Sequence, residues 1–429
     1  MAYLVVASHV NCATVVGGQH TIVDGTRRHR SQYTAAVATE ADRDAGQDVP
    51  HRVDHEPKAE FAFPGPLRDR LVAAILTGEK TATSGLLREY EHDNEPLPVV
   101  GARSVLVDSA DRPCAVLETT GVRVVSLAEV DLAHAVDEGE GFVDVAGWRR
   151  AHVDFWHSTP MRAALGDETF TVDDRTMVVA ERFRVVQRIW RSDEVAIAYA
   201  AESRAAVDAL RAVPEADFDR PTRCAPWTVK ELLAHTVIAL SRTVEMLDDG
   251  APAAGPDGPV DAVGYYAPDA RFRPDTDGGR IADAQRWAAA RTVTAAVDEL
   301  AARAATAAAR VTAQPPDRMV VTRHGDLMTL TDFQATRVVE LAVHGVDLAD
   351  GLGMAPWLTA PAADLVVALS AGTTLAPLRA ARGWDRPTLV RAVTGRVESG
   401  DVDPAELHPQ GVRSPFFGGT HRPTVVGEE

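Results

Sequence analysis

Glu340-Leu-Ala-Val-His344-Gly-Val-Asp347, inside the apolar run from Thr331 to Gly351, is the stretch on which the reading of this chain turns. On an α-helix, positions three, four and seven apart share a face, so Glu340, His344 and Asp347 form one polar stripe on an otherwise apolar cylinder. Such a stripe is either a metal site or a solvated face. The solvated reading gains from Arg337, one turn earlier on the same stripe. The metal reading needs a further ligand from elsewhere. His235 offers one: its neighbours at helical spacing, Leu232, Ile238 and Ala239, put it on a mainly apolar face, although a lone histidine there can equally be a satisfied core residue. Two histidines and a carboxylate leave a coordination position open, as catalytic metal sites do.

Working outward, both proposed ligand helices carry start signals. Thr228-Val-Lys-Glu231 has the form of a capping box seven residues before His235, with Trp227 placed to staple against Leu232; Thr331-Asp-Phe-Gln334 repeats the pattern before Glu340, and Gly351-Leu-Gly353 marks the end. Apolar periodicity predicts four long helices, 195–213, 228–247, 280–311 and 331–350, with a Gly/Pro/Asp-rich loop over 248–279. This is the pattern of an up-down four-helix bundle with a site between facing helices.

Before the junction at Trp190–Glu194 the period is different. After Pro64-Gly-Pro66 an amphipathic helix runs from Leu67 to Leu76 and stops near Gly78. Strands follow over 104–108 and 114–125 around a turn at 109–113, then helical stretches at 127–138 and 143–156 and a strand from Thr176. A small mixed β barrel or sheet with helices packed on it is expected. Residues 1–58 are polar and charge-mixed after a short apolar start (Thr26-Arg-Arg-His-Arg-Ser, Glu40-Ala-Asp-Arg-Asp) and are expected to be disordered or an extension.

At 429 residues the chain is long for a single core and predicts more than one domain. Its 44 basic and 62 acidic residues give a formal charge of −18, which opposes nonspecific binding to nucleic acid or anionic membrane and leaves any nucleic-acid role local. Cys12, Cys114 and Cys224 are far apart and form no CxxC pair, so neither a disulfide framework nor a cysteine-rich zinc site is indicated. No apolar run reaches spanning length and the opening residues lack a signal-peptide pattern. A cytoplasmic location with no membrane partner is expected, and a homodimer is open.

Two resemblances sharpen this reading. The helix ending in Gly-Glu-Lys80-Thr-Ala-Thr83, the strand Ala-Val-Leu-Glu118, His134-Ala-Val-Asp-Glu138-Gly, and Trp148 followed by Phe155-Trp156 together resemble the ASCH domain, a PUA-like β-barrel family associated with RNA, over roughly 60–190. Some of its members are amidohydrolases acting on acetylated cytidine through a lysine, a threonine three residues later and a glutamate. The resemblance implies those roles for Lys80, Thr83 and Glu138, with RNA or a nucleoside as partner. A lysine of lowered pKa could activate the threonine hydroxyl, with the carboxylate relaying protons. One departure is that Ser84-Gly85 stands where the small hydrolases carry a basic residue. Without the resemblance, Lys80 reads as a helix-end charge, Glu118 as a cross-strand partner and Glu138 as a surface charge.

Pro226-Trp227-Thr228 leading to Leu-Leu-Ala-His235, followed by Glu340-xxx-His344-Gly-Val-Asp347, resembles the DinB-like, mycothiol-dependent maleylpyruvate isomerase family over about 195–395. That resemblance implies a divalent metal, commonly zinc, on His235, Glu340 and His344, with Asp347 behind them orienting a ligand. It also implies mycothiol or another small thiol as cofactor and a small-molecule electrophile as substrate. Only residues from Ala360 remain where isomerases of the family carry a further domain, which puts maleylpyruvate itself in doubt. The expected organisation is an α+β multidomain chain: an extension at 1–58, an ASCH-like, PUA-like barrel at 59–192, a metal-binding DinB-like bundle at 193–355, and a C-terminal helix and tail at 356–429.

Overall fold

A computed structural model describes residues 56–248, 259–266, 274–315, 317–397 and Leu407. Most of the extension expected at 1–58 and the end of the C-terminal tail lie outside these residues. The N-terminal half contains β1 (Lys58–Ala59), α1 (Pro66–Thr77), β2 (Ala82–Leu86), α2 (Leu87–Asp93), β3 (Arg103–Val107), β4 (Pro113–Ser126), α3 (Leu132–Asp137), α4 (Val145–Trp156), α5 (Thr159–Ala164) and β5 (Met177–Arg188). Its sheet runs β1-β3-β4-β5-β2, antiparallel except for the β1–β3 pair. Register shifts at Val116/Leu117 and Thr119/Gly121 interrupt the long β4–β5 ladder, the kind of bulge that bends a strand and lets a sheet coil. One apolar cluster seats α1 against the sheet through Leu71, Ile75, Leu106, Leu117 and Phe183. A second, built on Leu86, Leu127, Trp148, Trp156 and Val178, holds α4 and its neighbours.

β2 was not foreseen. Gly78 closes α1 in the left-handed region (φ 83°), and the chain passes directly into a strand paired with β5, Thr83 opposite Glu181 and Ser84 opposite Ala180. That pairing fixes which face each side chain of the Lys80–Ser84 segment occupies.

The C-terminal half contains α6 (Ser192–Arg211), α7 (Val229–Asp248), α8 (Pro274–Ala289), α9 (Val293–Thr312), β6 (Met319–Val321), β7 (Leu327–Thr329), α10 (Leu330–Leu352), α11 (Ala360–Ala371), α12 (Ala376–Arg382) and α13 (Arg386–Val393). Helices α6, α9, α7 and α10 pack as a closed ring, each against the next, with α8 laid on α7. The core between them joins Tyr199, Leu210, Leu233, Leu240, Leu300, Val338 and Leu341, and the same cluster takes in Val366 of α11 and Val390 of α13. The C-terminal helices thus share the bundle's core.

Three local expectations change. The helix expected over 280–311 is two helices: Thr292 accepts from the backbone N–H of Ala295 at 3.2 Å and starts α9, while Arg291 stacks on Trp287 and donates to its carbonyl as α8 ends. Part of the loop expected over 248–279 is already α8. At the start of α10 the cap is Thr329, accepting from Asp332 N–H at 2.9 Å, whereas Thr331 is buried inside the first turn. The Thr228–Glu231 capping box forms as read, Glu231 accepting from Thr228 N–H at 2.8 Å and Thr228 Oγ1 from Glu231 N–H at 3.3 Å.

The halves touch along α11 and β5. Thr374 N–H donates to Leu76 carbonyl at 3.2 Å, and a Cβ on Gly372 (φ +80°) would lie 2.6 Å from the Val185 carbonyl oxygen, so only glycine permits that approach. Gln187 Nε2 also donates to Asp261 Oδ2 at 3.0 Å. Among the described residues no single helix is long and apolar enough to cross a membrane.

Candidate metal centre and a buried polar cluster

The polar stripe of α10 faces inward. Asp347 and Arg337 are buried and the side chains of Glu340 and His344 are only 18% and 15% exposed, which removes the solvated-face reading. His235 reaches the same point from α7, its ring stacked on Trp227 with centroids 4.7 Å apart. His235 Nε2 and His344 Nε2 each stand 3.5 Å from Glu340 Oε2, and one donor atom from each of the three residues lies within 4.8 Å of the other two.

The residues fit a divalent cation on both chemistry and spacing. Two imidazole nitrogens and one carboxylate oxygen are ordinary zinc donors, and ligands about 2.0–2.2 Å from a tetrahedral ion lie roughly 3.3–3.6 Å apart. The observed 3.5 Å separations are long for hydrogen bonds but suit donors sharing an ion. His344 Nδ1 faces Asp347 Oδ2 at 3.1 Å, which assigns the Nδ1 proton to that contact and leaves Nε2 toward Glu340.

The electrostatics follow from this packing. Burial pushes the Glu340 carboxyl up, but its polar contacts with His235 and His344 and the charge of Arg337 outweigh it and hold Glu340 well below the usual carboxylate range. His344 is pulled down by burial and pushed further up by its contacts with Asp347, Cys224 and Glu340. His235, buried and next to His344, is lowered and stays neutral, as a ligand requires. Sequence reading missed Cys224, whose Sγ lies 3.3 Å from Asp347 Oδ2, and it missed Arg396, which ion-pairs with Asp347. Neither carries a spacing signal that ties it to the stripe.

Beside the trio opens a cavity of about 460 Å³. Arg242, Arg280, Arg323 and Arg337 converge on it, with Tyr265, Tyr266 and Phe333 among its walls. Burial lowers the pKa of Arg323, and the charges of Arg242, Arg280 and Arg337 lower it further. Of the three lining carboxylates, Glu245 and Asp283 are paired with Arg242 and Arg286.

The N-terminal half holds a second set of polar groups, all buried. Glu138 Oε1 accepts from Ser84 Oγ at 2.7 Å and Trp148 Nε1 at 2.9 Å, His134 Nε2 is 2.9 Å from Ser84 Oγ, and His152 Nε2 is 3.3 Å from Glu138 Oε2. Lys80 Nζ donates to the Glu138 carbonyl at 3.1 Å and to Glu140 Oε1 at 3.2 Å, with Glu138 Oε2 at 3.8 Å. Burial raises Glu138, yet the charges of His152 and Lys80 hold it well below the usual range; burial lifts Glu140 to about 7. Lys80 and Glu138 therefore meet. Thr83 does not join them by a hydrogen bond: its Oγ1 is buried with no partner among the described residues, and strand alternation puts it on the face opposite Ser84. Ser84 supplies the hydroxyl at Glu138. Gly139 (φ +66°) lets this loop close, since a Cβ there would lie 2.4 Å from the Glu79 carbonyl oxygen.

Fold and site together define a two-part chain, a five-stranded sheet domain with packed helices joined to a helical bundle with a His-Glu-His cluster. Residues 60–187 match the family model described as ASCH domain, and residues 199–349 match that of the mycothiol maleylpyruvate isomerase N-terminal domain. The N-terminal half thus resembles the ASCH family and the C-terminal half the mycothiol-dependent maleylpyruvate isomerase family. Among solved structures, an ASCH domain from Lactobacillus crispatus is 27% identical over 30% of this chain and 79% of its own, with a TM-score of 0.28. A protein from Enterococcus faecalis is 26% identical over 28% of this chain and 68% of its own (TM-score 0.25). A mycothiol-dependent maleylpyruvate isomerase is 14% identical over 49% and 92% (TM-score 0.34). Comparison with the curated proteins gives no match.

Proposed function

We propose that the bundle is a divalent-metal, thiol-dependent transferase or isomerase acting on an anionic electrophile, with zinc as the metal and mycothiol or a similar small thiol as cofactor. The observation that carries this reading is the convergence of His235, Glu340 and His344 at the wall of a cavity that gathers four arginines. When bound, a divalent cation supplies the charge that keeps a thiol deprotonated and nucleophilic. The protein's part is positional: His235, Glu340 and His344 hold the cation, Asp347 orients His344, and Trp227 braces the His235 ring. Arg323 and its neighbours offer fork-shaped donors matched to a carboxylate, leaving the electrophilic carbon toward the thiol.

The test is conjugation or isomerisation of electrophilic acids with mycothiol in the purified protein, against neutral esters of the same acids. The reading expects turnover of the acids, with Arg323→Ala raising KM for the acid more than for the ester. Equal effects on acid and ester would sink the anionic assignment; no thiol-dependent turnover by the metal-loaded protein would sink the enzyme.

A second reading places an amidohydrolase or a nucleoside or RNA site in the ASCH-like half, and the contact of Lys80, Glu138 and Ser84 favours it. It predicts hydrolysis of an acetylated cytidine that Glu138→Gln abolishes. Undiminished hydrolysis in that variant, or none in the wild type, would remove it.

A further inference from the structure

Asp347 ends the ligand stripe, and its carboxylate is divided between two sides. Toward the bundle centre, Oδ2 faces His344 Nδ1 at 3.1 Å and Cys224 Sγ at 3.3 Å. Arg396 spans both oxygens, Nε to Oδ1 at 2.8 Å and a terminal nitrogen to Oδ2 at 2.9 Å, with its side chain 2% exposed, while Arg223 Nε stands further off, 3.9 Å from Oδ1.

Arg396 comes from outside the four-helix ring and beyond the stretch matched to the isomerase N-terminal domain, which ends at 349. Helix α13 stops at Val393, and Gly395 (φ +68°) turns the chain back. Arg396 N–H then donates to Arg391 carbonyl at 2.7 Å, its guanidinium to Thr394 carbonyl at 3.0 Å, and its own carbonyl accepts from Arg223 at 2.8 Å. The guanidinium is therefore fixed from its backbone outward.

That placement bears on a choice the donors leave open. Cys224, His344 and Asp347 also bring their ligand atoms within 4.8 Å of one another, so His344 belongs to two possible metal triads, one on each ring nitrogen. A cation in the second triad would need Asp347 oxygens already committed to a buried, permanently charged guanidinium.

We propose that Arg396 is a positioning residue of the metal centre: by occupying Asp347 it keeps that carboxylate an acceptor for His344 Nδ1–H, and so directs the cation to His344 Nε2, Glu340 and His235. The segment after α10 is then part of the site. This inference rests on the metal reading above and adds to it a residue from outside the matched domain.

The test uses the full-length apo-protein reloaded with cobalt(II) or zinc, with affinity measured by chelator competition and the cobalt visible spectrum recorded. Arg396→Gln is expected to weaken zinc binding by up to about 10-fold, the low end of the loss when a ligand's own partner is removed, since Arg396 stands one contact further out behind Asp347, and to shift the cobalt bands. Arg396→Lys, which keeps the charge without the fork, should fall between it and wild type, and keeps the test open if the glutamine variant misfolds. Arg386→Gln breaks the pair between Arg386 at the start of α13 and Asp364 of α11 and should leave affinity and spectrum unchanged. If Arg396 acts through Asp347, adding Arg396→Gln to Asp347→Asn costs little more than Asp347→Asn alone. Wild-type affinity and spectrum in Arg396→Gln, or losses that add in the double variant, would overturn the inference while leaving the metal centre standing. A wild type that takes up neither ion would overturn the metal reading and this inference with it.

Discussion

His344 divides its ring between two carboxylates, Nε2 toward Glu340 and Nδ1 toward Asp347, and on the proposed metal reading this division makes it a ligand rather than a core histidine. Replacing it with alanine leaves Glu340 and His235 with one donor too few. Arg323→Ala, by contrast, should spare metal binding and change only the handling of anionic substrates. A pH effect belongs to this scale too. Glu89, buried in the N-terminal half, is raised by desolvation to about 8 from an ordinary 4.5. A carboxyl raised on folding contributes stability that is complete below pH 4.5 and is lost as pH climbs through 8. The melting temperature of wild type relative to Glu89→Gln should therefore fall between those limits; a constant difference would contradict it. The clustering of His235, Glu340 and His344 was legible in the sequence because helical spacing puts Glu340 and His344 on one face and an apolar setting singles out His235. Arg396 was not, since an ion pair across 49 residues leaves no periodic trace. Ser84 was hidden for a different reason: its side of the strand depends on a pairing with β5 that local pattern does not encode.

At the scale of elements, caps decide the boundaries. Thr292 divides what apolar periodicity alone reads as one helix, because a threonine side chain that accepts a backbone N–H starts a helix as firmly as it ends the previous one. Thr292→Ala should cost about 1 kcal/mol of stability, read by denaturant unfolding. Gly139→Ala is the harsher change. It puts a Cβ 2.4 Å from the Glu79 carbonyl oxygen at a positive φ, and about 3 kcal/mol or more is expected, with the Lys80–Glu138 contact disturbed. A loss under about 1 kcal/mol would mean the loop opens at little cost. Helices α6, α7 and α10 and strands β3, β4 and β5 were readable from period alone. The β6–β7 hairpin and β2 were not, being three- and five-residue strands that exist only by pairing.

On the scale of the whole molecule, two parts of different architecture meet at the α11 end at Gly372 and at Gln187–Asp261, and among the described residues they share no core cluster. Gly372→Ala should loosen that seam before either core, so calorimetry is expected to show two transitions drawn further apart. The formal charge of −18 opposes nonspecific binding of anionic partners, while four arginines gather at one cavity. All of this turns on whether the bundle holds a metal. The decisive measurement is metal content per chain by mass spectrometry on the purified protein and on His344→Ala. About one divalent ion per wild-type chain, absent from a folded variant, is the predicted result; a wild type that carries no ion and takes up no zinc when it is offered would contradict the account.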